Sequence, residues 1–277
     1  MESRERKASP RRRKAASRAT PGSTPGPRAS PAAAKAPPRG VPEKLGDAPL
    51  RLVIVGHNPS EHAWQSGHYY SNPSNLMWRI LISTGIAPPG TRGAEDDDRL
   101  PREAGVGFLD VGCGHPGTDS SSFASEVFDA WSRAFYSRLK AHMARAAASI
   151  GCTCGLCGAP RLVAFSGKRQ FLELLNVGRS GRDRAKTVEF GPQSELPRGW
   201  PFPRSTEVWV CSSTSGAAAM TKEQREGPYK RLAERLAREE WPRRGPPACA
   251  AATGGAAAVA GSRAGQGRED METQGGE

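Results

Sequence analysis

The chain has 277 residues and a formal net charge of +12 at pH 7. Two thirds of this excess lies in residues 1–50, which contain 12 Lys and Arg against 4 Asp and Glu. No stretch reaches the roughly 18 apolar residues of a membrane span, and no apolar segment follows the N-terminus, which argues against a membrane or secreted protein.

Composition divides the chain into three predicted segments. Residues 1–48 form a basic arm and residues 242–277 form a tail, and both contain too few large apolar side chains to fold, so we expect them to be disordered. Residues 49–241 are expected to form a single domain of the α/β class.

The basic arm fits contact with nucleic acid or nuclear import, and a solvated charged tail is the alternative. Residues 11–14, Arg-Arg-Arg-Lys, are the candidate import signal, so we expect a nuclear protein. The Arg- and Ser-rich start also suits an organelle transit peptide, although Glu2 and Glu5 are unusual in one.

The predicted elements alternate along the chain. Short β-branched or apolar runs predict strands at residues 51–55, 106–111, 161–165, 187–190 and 207–211. Helices are expected from Asn72 and Pro73 to Gly85, over residues 122–150 and 168–175, and after a capping box that begins at Thr221. Residues 88–102 read as a polar loop. The alternation predicts a three-layer sandwich in which helices flank a central, mostly parallel sheet.

In such a fold ligands bind at the carboxyl ends of the strands. Three motifs follow strand ends: Gly56-His57-Asn58-Pro59, Ser166-Gly167-Lys168 and the segment from Ser212 to Gly216. Tyr70 follows Asn58 by twelve residues, and an amide with an aromatic ring can seat a flat heterocycle beside a water. We therefore expect one shared site.

These motifs resemble those of the mismatch-specific uracil/thymine-DNA glycosylases, in the uracil-DNA glycosylase superfamily, over about residues 50–240. The resemblance implies that Asn58 positions the hydrolytic water and that Tyr70 stacks on the flipped base. It also implies that the backbone amides of His57 and Tyr70 face the base carbonyls, and that Ala63 and Tyr69 line the pocket. Because a neutral amide is a poor general base, we expect slow turnover.

In the same family the loop after the last strand grips DNA phosphates, and its next residue enters the gap left by the flipped base. Ser213, Ser215 and Gly216 match the phosphate-binding positions, and Ala217 takes the place of a bulkier penetrating residue. Leu109 stands where a hydroxyl residue commonly helps to hold the water. Lys168 matches the family's Gly-Lys turn and is a candidate phosphate contact, with a solvated charge as the alternative.

Cys152, Cys154 and Cys157 form a C-x-C-x-x-C cluster that the resemblance does not explain. They are candidate ligands of a structural zinc ion, with His142 or Cys113 as the fourth ligand, and reduced loop cysteines are the alternative. Catalysis itself is expected to require no cofactor.

The sequence thus predicts a monomeric enzyme that acts on double-stranded DNA and removes uracil, and thymine as a second substrate, opposite guanine. Two alternatives remain: a catalytically inactive DNA-binding protein on the same scaffold, suggested by Ala217 and Leu109, and a broader glycosylase for damaged or modified pyrimidines.

Overall fold

The computed structural model describes residues 40–243, so the predictions for the basic arm and for most of the tail lie outside the described residues. Five strands form one sheet in the order β2-β1-β3-β5-β4. They are β1 (Leu52–Gly56), β2 (Val106–Asp110), β3 (Leu162–Ser166), β4 (Gly191–Pro192) and β5 (Glu207–Cys211). The first four in the sheet order pair in parallel, and β4 is antiparallel to β5.

Six α-helices accompany the strands in this part of the chain. They are α1 (Glu61–Ser66), α2 (Met77–Ser83), α3 (Leu100–Ala104), α4 (Val127–Ser149), α5 (Lys168–Asn176) and α6 (Lys222–Leu236). No helix among residues 40–243 is long and apolar enough to cross a membrane.

Alternation along the strands produces two hydrophobic layers. Leu52 and Ile54 of β1 point to one face, where α2 and α6 pack with side chains such as Trp78 and Tyr229. Val53 and Val55 point to the other face, where α4 and α5 pack. Because successive side chains of a strand face opposite ways, a strand buried on both faces is apolar throughout. The predicted three-layer α/β sandwich is confirmed.

Several local predictions are corrected. The helix expected at Asn72 begins at Met77, because Asn72 Oδ1 instead accepts from the backbone N–H of Ser74 at 3.0 Å and closes a turn. The helix expected from residue 122 begins at Val127. Residues 187–190 are not a strand, and only Gly191–Pro192 pairs with β5. The loop at 88–102 contains the start of α3. The Thr221 capping box is confirmed.

Residues just before 49 pack onto the sheet. Val41 and Leu45 are buried, and Lys44 forms a backbone bridge to Phe108 in β2. The Lys44 ammonium lies 2.6 Å from Asp98 and 3.4 Å from the buried Asp97. This segment therefore belongs to the folded unit and covers the edge strand, where unpaired N–H and C=O groups would otherwise be exposed.

Candidate active site at the carboxyl ends of the parallel strands

One cavity of about 270 Å³ lies at the carboxyl ends of β1, β2, β3 and β5. The strand register brings Gly56 beside Asp110 and Ser166 beside Cys211, so the loops that follow these residues meet at one edge of the sheet. The motif residues that line the cavity are His57, Asn58, Tyr70, Ser166, Ser213, Ser215, Gly216 and Ala217. A larger cavity of about 670 Å³ near Trp241 contains none of the predicted site residues.

Asn58 is half-buried, and both polar atoms of its side chain are held by hydrogen bonds. Its Nδ2 has two hydrogens to share among three carbonyls, those of Pro59 at 3.2 Å, His115 at 3.0 Å and Gly117 at 2.9 Å. Its Oδ1 lies 2.8 Å from Nδ1 of His57, which must be the donor because an amide oxygen can only accept. One lone pair of Oδ1 is left for a water, and the amide orientation is fixed.

His57 contributes its backbone to the site and its ring to the core. The imidazole packs among Phe123, Phe128 and Trp131, with ring centroids 5.4–6.0 Å apart. Burial lowers the pKa of His57 to about 4, although the hydrogen bond to Asn58 opposes this. The ring is therefore neutral at physiological pH and acts as a fixed donor to Asn58.

Tyr70 combines a buried hydroxyl with a partly exposed ring that lines the cavity. The hydroxyl lies 2.9 Å from Ser166 Oγ, and the ring packs edge-on against Phe108. Burial raises the pKa of Tyr70, so the hydroxyl stays protonated. The backbone φ of 53° is rare outside glycine, and such strain is commonest at functional sites.

Ala63 and Tyr69 line the inner wall of the cavity, and both are buried. The Tyr69 ring stacks on Phe108, and its backbone N–H donates to Asp97 at 2.8 Å. In the described part of the chain, by contrast, the backbone N–H groups of His57 and Tyr70 donate to no backbone carbonyl. These two N–H groups therefore have no backbone acceptor there that competes with a ligand, and their contact with the base carbonyls stays a prediction.

Asp110 is the site residue that the sequence analysis missed. It ends β2, is 4% exposed and lines the cavity, whereas Leu109 is buried in the core on the opposite face of the sheet. Leu109 therefore has no bearing on the site, and Asp110 is the residue that β2 presents there. The position of Asp110 at the carboxyl end of a buried strand was the available signal.

The Asp110 carboxyl occupies the space left by Gly56. A Cβ at Gly56 would lie 1.9 Å from Asp110 Oδ1 and 3.0 Å from the Tyr70 hydroxyl. Burial raises the pKa of Asp110 to about 7, because desolvation outweighs the nearby positive charge of Arg138. A carboxyl that titrates near neutrality in a cavity is a candidate for function.

The loop after β5 is held from below by Arg225, a second residue that sequence reasoning missed. This buried side chain donates to the carbonyls of Ser215 at 2.9 Å and Ala218 at 2.6 Å. Ser213 Oγ accepts from the Ser215 N–H at 3.3 Å, which shapes the turn locally. The loop is thus ordered by internal contacts.

Gly216 allows the loop to approach the turn before α2 closely, since a Cβ there would lie 2.6 Å from the backbone oxygen of Ser74. Ser215, Gly216 and Ala217 are exposed at the rim of the cavity. Lys168, in contrast, does not line the cavity. Its ammonium lies 4.5 Å from the Phe190 ring centroid and 3.8 Å from Glu189.

Two groups of side chains have the composition of a metal site. The sulfurs of Cys152, Cys154 and Cys157 lie within 4.8 Å of one another, before β3 and therefore at the opposite edge of the sheet. Neither His142 nor Cys113 joins that group in the described residues. The other group, His68 with Asp97 and Asp98, already holds the Lys44 ammonium.

Comparison with known proteins places this site in a family. The sequence matches the uracil DNA glycosylase superfamily over residues 43–237. The chain belongs to this superfamily. The match includes all the cavity-lining motifs and ends just after α6, so it covers the whole sheet of this superfamily member.

A G/U mismatch-specific uracil DNA glycosylase from Schizosaccharomyces pombe (strain 972 / ATCC 24843) is 24% identical to this superfamily member over 202 residues. The aligned region covers 72% of this chain and 54% of the yeast protein. The chain therefore spans about half the length of that curated relative.

Proposed function

We propose that this chain is a monofunctional DNA glycosylase that flips uracil, with thymine as a second substrate, out of a mispair with guanine and hydrolyses its N-glycosidic bond. Excision leaves an abasic site and so initiates base-excision repair. The observation that carries the proposal is the single cavity lined by the Asn58 turn, the Tyr70 ring and the Ser213–Ala217 loop. The name of the yeast relative supports the mismatch preference.

The leaving base carries negative charge as the bond breaks, and N–H donors fixed in advance stabilise such charge. The N–H groups of His57 and Tyr70 lack backbone acceptors among the described residues, and the fixed φ of Tyr70 sets the direction of one of them. Facing a carbonyl oxygen of the flipped base, they would strengthen their hydrogen bonds as charge develops. The Tyr70 ring supplies the surface for stacking.

Hydrolysis also needs a water aimed at the sugar. The Asn58 Oδ1, fixed by His57, offers one remaining lone pair to such a water, and the amide cannot take its proton. The contribution is positioning rather than base catalysis, which is consistent with slow turnover.

Asp110 suggests how the base is chosen. An ionised carboxylate only accepts hydrogen bonds, so it matches the N3–H of uracil or thymine and repels the N3 lone pair of cytosine. Its buried position beside Gly56 and Tyr70 suits contact with the edge of a base stacked on that ring. Protonation below its pKa of about 7 would weaken this discrimination.

The test is single-turnover excision from a labelled duplex with one G·U pair, followed by alkaline cleavage at abasic sites. We expect product from G·U, less from G·T, and none from G·C. Absence of product from every duplex, with binding retained, would refute the enzymatic proposal. It would favour the inactive DNA-binding alternative, which is supported by the exposed methyl group of Ala217 and by the three carbonyls that occupy the Asn58 donors.

A further inference from the structure

The loop between α4 and β3 holds three cysteine sulfurs in close contact. Cys152 Sγ lies 3.0 Å from Cys154 Sγ, which lies 3.6 Å from Cys157 Sγ, and all three lie within 4.8 Å of one another. A disulfide requires about 2.05 Å, so these separations are not those of a bonded pair. We propose that Cys152, Cys154 and Cys157 bind one zinc ion as thiolates.

The distances suit zinc. Tetrahedral coordination with Zn–S bonds of about 2.3 Å places sulfurs about 3.8 Å apart. The Cys154–Cys157 separation of 3.6 Å already agrees with this value, and the Cys152–Cys154 pair must open by less than about 1 Å. The C-x-x-C spacing of Cys154 and Cys157 is also that of structural zinc sites.

The turn between these cysteines is built to support ligands. Gly155 is left-handed, with φ 75°, and it directs the chain into the 3-10 turn Leu156–Gly158. The Leu156 N–H then donates to Cys154 Sγ at 3.3 Å, which favours the thiolate and orients it. A Cβ at Gly158 would lie 1.9 Å from the Met143 carbonyl, so the loop backbone packs directly on α4.

A positive charge beside the cluster favours a site made of thiolates. Three thiolates and Zn²⁺ leave one net negative charge, and the Arg243 guanidinium lies nearby, donating to the carbonyls of Ala159 at 2.6 Å and Cys157 at 3.5 Å.

The ion would fasten the end of α4 to the start of β3, at the edge of the sheet opposite the cavity. Its role is therefore structural. Zinc binding displaces the thiol protons and adds to the stability of the folded state. Loss of zinc should lower the melting temperature, while excision by the protein that remains folded should change little.

The test is metal content and thiol titration of the full-length chain, refolded under reducing conditions with Zn²⁺ and then desalted. We expect about one zinc per chain, and tetrahedral thiolate absorption bands when Co²⁺ replaces it. Cys154→Ser and Cys157→Ser should each lose the metal and lower the melting temperature. Cys113→Ser is the matched control, because Cys113 lies outside the cluster, and it should retain one zinc.

Zinc content well below one per chain in the reduced protein would overturn the proposal, as would equal zinc content in the cluster variants and the Cys113→Ser control. None of these readouts uses excision, so their failure is distinguishable from failure of the proposed function.

Discussion

Asp110→Asn should stabilise the protein at neutral and alkaline pH. Burial raises the pKa of Asp110 to about 7 from its ordinary 3.8, so the folded state holds its proton over a range in which the unfolded chain has released it. The contribution of this group to stability is therefore full below pH 3.8 and is lost as pH rises to about 7. Asparagine occupies the same volume and carries no charge at any pH, so the variant does not lose stability as pH rises through this range.

The magnitude follows from the shift of the pKa. Three pKa units correspond to about 4 kcal/mol, at about 1.4 kcal/mol per unit, and roughly 3 kcal/mol of this falls between pH 5 and pH 9. The free energy of unfolding of Asp110→Asn, relative to the unaltered protein, should rise by about that amount across this range. An unpaired amide in the cavity would reduce the absolute gain but not its dependence on pH.

Denaturant unfolding of both proteins at several pH values measures the difference directly, because other titrating groups cancel. Asp96→Asn is a matched control with the opposite sign. Hydrogen bonds from Arg92 lower the pKa of Asp96. The stability that the Asp96 carboxylate contributes is therefore present above pH 3.8 and lost as pH falls. Replacing this carboxylate by an amide should destabilise the protein at neutral pH. A pH-independent difference for Asp110→Asn would refute the reasoning.

Three further substitutions test the site, and one deletion tests the basic arm. Asn58→Ala should lower single-turnover excision at least about a hundredfold with a modest loss of stability. Asn176→Ala is the control, because it removes the two hydrogen bonds between the Asn176 side chain and the backbone of Ala185. It should lower stability without lowering excision. Equal excision by the Asn58→Ala and Asn176→Ala variants would contradict the role of Asn58. Ala217→Leu should speed excision from G·U duplex but not from single strands, because only a duplex has a gap left by the flipped base. Equal effects on both substrates would contradict the placement of residue 217 in that gap. Deletion of residues 1–39, which spares the buried Val41, should weaken binding to any duplex and flatten its salt dependence, and an unchanged salt slope would exclude phosphate contact by the arm.

The sequence predicted the convergence of the motifs because parallel strands carry their loops to the same edge. It did not predict that Asp110 lines the cavity. Which residue of β2 faces the site depends on the face to which each side chain points, and the sequence analysis had considered Leu109 for that place. Asn72 was expected to begin a helix, yet it closes a turn, and Asn75 Oδ1 instead accepts from the Met77 N–H at 2.9 Å where α2 starts. Residues with several local hydrogen-bonding options are not decided by sequence alone.

The buried Arg225 shows a second limit of prediction. Arginine is usually exposed, and nothing in the spacing of α6 indicates that this one turns inward to hold the Ser215 and Ala218 carbonyls. Arg225 follows Ser215 by ten residues and Ala218 by seven, and it reaches both carbonyls only because the chain folds back between them. These contacts are therefore visible only in the folded structure.

Gly56 and Asp110 share one volume, which has a consequence for how such sites can diversify. Even alanine at position 56 would place its methyl carbon 1.9 Å from the Asp110 carboxylate, so position 56 cannot be enlarged while Asp110 stays as it is. A library that varies position 56 alone should return mostly unfolded or inactive proteins. Paired variation, with a larger residue at 56 and a small one at 110, is the accessible route to a pocket of different chemistry.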